Sequence, residues 1–133
     1  MPVAVSAQDD QNWPPLSYLR NDYRAVKLVA HVRVYETEIV SRIPGYEDWR
    51  VRCEIIEPFK GSLRKGIKLE YYHGAEDGFR KELFMGEKII FLVRNFHEKE
   101  KKWVYAVLEN STLPYNENRA QKLRKIKQGQ KKR

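Results

Sequence analysis

Val26-Lys27-Leu28-Val29-Ala30-His31-Val32-Arg33-Val34-Tyr35 alternates on a period of two. Val26, Leu28, Ala30, Val32 and Val34 fall on one phase, and Lys27, Val29, His31, Arg33 and Tyr35 on the other. Successive side chains of an extended chain point to opposite faces, so the pattern predicts a strand with one buried face, running over Val26–Val40. Ile43-Pro44-Gly45-Tyr46 is the turn that ends it. A second strand follows over Asp48–Pro58, with Trp49, Val51, Cys53 and Ile55 against Arg50, Arg52, Glu54 and Ile56, and Phe59-Lys60-Gly61-Ser62 closes it.

The same reading carries outward in both directions. Ile67–His73 predicts a third strand, Gly74–Gly78 a flexible loop, and Lys88–Phe96 a nearly continuous apolar strand of the kind covered on both faces. His97–Lys102 reads as a charged hairpin loop and Trp103–Leu108 as the fifth strand. On the N-terminal side, Pro14-Pro15 opens a helix with Leu16, Leu19 and Tyr23 on one stripe. At the other end Pro114 stops a strand-like segment. Asn116 or Asn118 then caps a helix over Arg119–Lys127 that aligns Leu123 with Ile126. An open sheet of five such strands would leave two long edges bare. The expected fold is therefore mainly β, a five-stranded OB-like Greek-key barrel with short N- and C-terminal helices. Only Asp77–Met85 is left for a helix between the third and fourth strands.

Composition bounds the function. The chain has 133 residues, enough for one domain, and a lone Cys53 excludes an internal disulfide framework or a multi-cysteine zinc site. Its apolar runs are too short for a transmembrane helix. Of 26 Lys and Arg, eight lie within 119–133 with no acidic residue beside them, so residues 1–118 are formally neutral and the tail carries the +8. The expected organisation is an N-terminal segment or signal-peptide remnant over 1–12, a barrel domain over 13–118, and a basic helical-to-disordered tail over 119–133. Val5-Ser6-Ala7 has the small-residue pattern of a signal-peptidase site, with cleavage after Ala7 and Met1 as a late start within a longer precursor. Asn110-Ser111-Thr112 fits the glycosylation sequon.

Three stretches together carry a resemblance. They are Tyr23-Arg24-Ala25-Val26-Lys27-Leu28-Val29-Ala30-His31-Val32, Ile56-Glu57-Pro58-Phe59-Lys60-Gly61, and Met85-Gly86-Glu87-Lys88-Ile89-Ile90-Phe91-Leu92. Across about Leu16 to Pro114 the chain resembles small secreted bacterial proteins with the OB fold of the tissue inhibitors of metalloproteinases and netrin-like domains. The resemblance implies a barrel and an exported location. It does not imply protease inhibition by zinc chelation, because that family's N-terminal Cys-Xaa-Cys has no counterpart before Cys53.

Candidate residues are few. Cys53, on a strand phase with Val51 and Ile55, is expected to be a buried hydrophobe. His31, His73 and His97 lack ligand spacing, so no metal and no cofactor is expected. His73 with Glu76 and Asp77 is the best loop constellation, suited to weak cation binding or proton transfer. Arg50, Arg52 and Tyr72 would imitate the cation-and-stacking platform of nucleic-acid-binding OB barrels if they share an outer face, whereas Trp49, Tyr71 and Trp103 are expected to fill the core. Lys122, Arg124, Lys125 and Lys127 of the tail are expected to add affinity for anionic surfaces.

The function these features imply is a non-catalytic, monomeric, secreted or periplasmic binding module. It would contact a protein or an anionic polymer through the loops 41–48, 73–84 and 97–102. A cytoplasmic single-stranded nucleic-acid-binding protein is the alternative.

Overall fold

The computed structural model describes residues 12–131, apart from Phe79 and Ser111. The cleavage point expected after Ala7, Ser111 of the sequon, and Lys132 and Arg133 of the tail lie outside the described residues. The elements in chain order are α1 (Leu16–Ala25), β1 (Leu28–Ile43), β2 (Tyr46–Lys60), β3 (Lys68–Glu76), β4 (Gly86–His97), β5 (Lys102–Val107), β6 (Leu113–Pro114) and α2 (Glu117–Lys131). The chain is mainly β. Its six strands run in the order β1-β2-β3-β5-β4-β6, and β1 also pairs with β4, so five strands hydrogen-bond in a closed ring. All pairings are antiparallel except β3 with β5, which meet in parallel at Tyr72 and Ala106.

The period-two reading locates the core. Leu28, Ala30, Val32 and Val34 of β1 meet Trp49, Val51, Cys53 and Ile55 of β2, Tyr71 of β3 and Ile90 and Leu92 of β4 inside the ring. β4 is covered on both faces over Ile89, Ile90, Phe91 and Leu92, the middle of its apolar run. Ile89 and Phe91 point the other way, into a second cluster with Leu19 and Tyr23 of α1, Val29 of β1, and Ala120, Leu123 and Ile126 of α2. The β1–β2 hairpin turns on Pro44 and Gly45, with Gly45 at φ +82°, a left-handed backbone that glycine adopts without cost.

Three local expectations differ from the structure. The stretch Gly74-Ala75-Glu76, expected to be loop, completes β3 and pairs with Tyr46-Glu47-Asp48. Its glycine is required by packing, because a Cβ at Gly74 would lie 1.7 Å from the Tyr46 hydroxyl oxygen. The stretch between β3 and β4, by contrast, agrees with the little room expected for a helix there: its described residues hold one 3-10 turn, Lys81–Leu83. Trp103, expected in the core, is 62% exposed. Its strand phase continues to the tip of the β4–β5 hairpin, where Phe96 lies against it, ring centroids 5.8 Å apart. Finally, the C-terminal helix is not short: α2 has 15 residues and begins at Glu117. Asn116 caps it, its Oδ1 accepting from the Arg119 amide at 2.8 Å.

No helix among the described residues is long and apolar enough to cross a membrane.

Candidate functional site

The antiparallel register decides the outer face of β1, β2 and β3. Arg50 sits opposite both Glu38 and Tyr72, and Arg52 opposite both Glu36 and Glu70, so all six side chains share one face. The structure thus brings Arg50, Arg52 and Tyr72 together, and it also surrounds them with acid. The Arg50 guanidinium lies 2.5 Å from Glu38 and 3.2 Å from both Glu70 and Glu100, and Arg52 pairs with Glu36 and, at 3.7 Å, with Glu38.

Tyr72 is covered rather than presented. It is only 4% exposed, and its hydroxyl donates to Glu100. The His97 ring lies 4.7 Å from its ring. Burial, then the Glu100 carboxylate, push the phenol up to about 12. The hairpin tip that covers it is itself latched. His97 Nε2 meets Asp48 Oδ2 at 2.5 Å, and the Glu100 amide donates to His97 Nδ1 at 3.1 Å. Both imidazole nitrogens are therefore occupied by structural bonds.

His73, Glu76 and Asp77 do not converge. His73 is buried on the inner phase of β3, opposite Trp49 and edge-on to Phe84 at 4.8 Å. Its Nδ1 donates to the Gly74 carbonyl at 2.8 Å, and burial lowers its pKa, holding the ring neutral. Glu76 belongs to the opposite phase and is exposed; Asp77 is exposed in the turn that follows, its amide bonded to the Gly45 carbonyl. Cys53 is fully buried, and burial pushes its thiol up to about 12, so the thiolate that nucleophilic chemistry needs is strongly disfavoured.

The basic residues of α2 divide into two groups. Lys122 donates to the carbonyls of Asn12 and Pro14, and Lys127 to that of Pro58. Arg124 grips Glu57 with two parallel bonds of 2.8 and 2.6 Å and reaches Glu117 at 2.7 Å. These three fasten the helix to the body. Arg119, 2% exposed, does the same through the carbonyls of Trp13 and Pro114. Lys125 is different: it is exposed and, with Arg20 and Arg24 of α1, lines a cleft of about 340 Å³ between the helices.

A second cleft, about 520 Å³, shares Arg24 with the first and adds Lys27, Lys60 and Arg94. Arg20 and Arg24 are one helical turn apart, so they project from the same side of α1. Lys60 donates to the carbonyls of Tyr23 and Val26, at 2.6 and 2.8 Å, and its ammonium lies 5.0 Å from the centre of the Tyr23 ring. Burial, then the Lys27 charge, lower its pKa. No acidic residue lines either cleft. Of these six cations sequence reasoning found only Lys125. The others lie on α1, β2, β4 and the α1–β1 junction, and nothing local marks them as neighbours. No family model and no curated protein matches this chain.

Proposed function

We propose that the chain is a non-catalytic binding module for an anionic polymer, built on an OB-like barrel and exported from the cell. The carrying observation is the pair of adjoining clefts. Arg20, Arg24, Lys27, Lys60, Arg94 and Lys125 line them with no acidic neighbour in the lining, while Arg50 and Arg52 are already neutralised on the outer face. A polyanion gains from cations whose counterions it can release, so the clefts, rather than the sheet face, are where it would bind.

The strand order, the closed five-strand ring and the single 3-10 turn before β4 support the OB-like reading of the fold. The buried thiol of Cys53 and the structural bonds at His97 and His73 support a binding rather than a catalytic role. Export rests on the Val5-Ser6-Ala7 pattern. N-terminal sequencing of the native protein tests it: a chain beginning at Gln8 in a periplasmic or secreted fraction upholds export, and a cytoplasmic chain beginning upstream of Ala7 defeats it.

One observation favours single-stranded nucleic acid as the polymer. Phe96 lies two residues beyond the cleft-lining Arg94 on β4, and with Trp103 forms an exposed aromatic pair. Titrating a fluorescent oligothymidylate and dextran sulfate of equal charge in parallel separates the readings. Tighter oligonucleotide binding that Trp103→Ala abolishes selects nucleic acid, and equal binding unaffected by that change selects a general polyanion. Failure of both to bind at low salt would reject the module as a polyanion binder.

A further inference from the structure

A separate pocket of about 150 Å³ lies where the segment leading into α1 crosses β4 and the turn after β5. It is of the size that takes one benzene-sized guest. Trp13 and Tyr18 stand edge to face in its wall, ring centroids 5.2 Å apart and planes at 86°, and Phe91 and Leu113 add further apolar surface. Asp22, one helical turn beyond Tyr18, and Glu109 bring two carboxylates to the same space. No Lys or Arg lines the pocket, and neither carboxylate has an ion pair or hydrogen bond among the described residues.

We propose that this pocket is a binding site for a compact organic ammonium group, held against the faces of Trp13, Tyr18 and Phe91 and neutralised by Asp22 and Glu109. Aromatic faces carry negative charge density and attract a cation within about 6 Å of the ring centre. The only charged side chains among the lining residues are these two carboxylates, which favours a cation over an anion. Three features prepare the site. Arg119 holds the Trp13 carbonyl at 2.7 Å, and Lys122 holds that of Pro14 at 3.0 Å, fixing the aromatic wall from α2. Glu109 sits at φ 54°, ψ 29°, a left-handed backbone that glycine or asparagine would occupy at lower cost, yet the position carries a carboxylate. Burial, and to a lesser degree the charge of Glu109, raise the Asp22 pKa.

The same ammonium chemistry is offered by a free quaternary amine and by a methylated lysine on a partner. The pocket shares no lining residue with the two basic clefts, so the proposal stands apart from the polymer reading. The test is a heteronuclear NMR titration of the full chain, following the Trp13 indole N–H. The probes are choline, a trimethyl-lysine peptide, 3,3-dimethyl-1-butanol as the uncharged isostere of choline, and calcium. One of the two ammonium probes is expected to shift the Trp13 signal at least about 10-fold more tightly than the uncharged isostere or calcium, and the tighter of the two identifies the source. Glu109→Gln and Asp22→Asn are each expected to weaken that probe about 5- to 10-fold, and Tyr18→Ala to weaken it while leaving the fold intact, since Tyr18 is exposed. Equal binding of the uncharged isostere, tighter binding of calcium, or no shift with any ammonium probe would overturn the proposal. Arg24→Glu with Lys125→Glu should leave ammonium binding within about twofold, so loss of polymer binding and loss of the ammonium site are read separately.

Discussion

On the outer face of β1, β2 and β3, Arg50 and Arg52 meet carboxylates across the strands; along α1 and α2, Arg20, Arg24 and Lys125 stand beside one another. Both regions are rich in cations, and only one has charge to offer. The difference lies in how each element spaces its residues. Antiparallel strands place a partner directly opposite every residue, and here the register sets Glu36 and Glu38 against Arg52 and Arg50. A helix repeats a side chain each turn, so Arg20 and Arg24 line up on one side, and the docking of α2 adds Lys125 to them. Availability for a ligand is therefore a property of register and docking, not of the number of basic residues.

The contrast breaks first at the foundation of the helical region. Leu123 is fully buried in the cluster that joins α1, α2 and β4. Leu123→Ala is expected to destabilise the protein by about 2–5 kcal/mol in urea unfolding. A solvated tail would show no change. The sheet face breaks next. Arg50→Met removes the cation that Glu38, Glu70 and Glu100 share on a largely covered face, and is expected to cost about 1–3 kcal/mol. The more exposed Arg52→Gln should cost no more than about 1 kcal/mol.

Acid gives a smaller and graded effect. The Arg124 guanidinium lowers the Glu57 carboxyl, and the Tyr115 hydroxyl with Arg124 lowers that of Glu117. A depressed carboxylate stabilises the fold above its unfolded pKa, about 4.3, and the contribution is lost as pH falls through the lower folded value. Stability followed by urea midpoint should thus drop below about pH 4.3, and Glu57→Gln should flatten that part of the curve.

Much of this architecture was legible in the sequence, for a physical reason. The strand phases of Val26–Val40 and Asp48–Pro58 follow directly from side-chain alternation, and the continuous run at Lys88–Phe96 announced a strand with two covered faces. What misled was non-local. Trp103 keeps the apolar phase at the tip of the β4–β5 hairpin, where it stays mostly exposed. Tyr72 lies on the outer phase yet is buried, because His97 and Glu100 arrive from a hairpin some 25 residues away. The stripe of Leu123 and Ile126 indicated a docked helix, but not that Lys122, Arg124 and Lys127 would be consumed in docking it. The basic clefts join residues from Arg20 to Lys125, and the ammonium pocket joins Trp13 to Leu113; local periodicity has no access to either.

Polyanion affinity as a function of salt, compared between two charge-altered variants, is the sharpest trial. Arg24→Glu with Lys125→Glu should lower dextran sulfate affinity at least about 10-fold at low salt and flatten the slope of log affinity against log salt. Arg50→Gln with Arg52→Gln should leave both affinity and slope near those of the unaltered chain. If instead the sheet-face pair abolished binding and the cleft pair left it intact, the assignment of the available charge to the helical side would be contradicted.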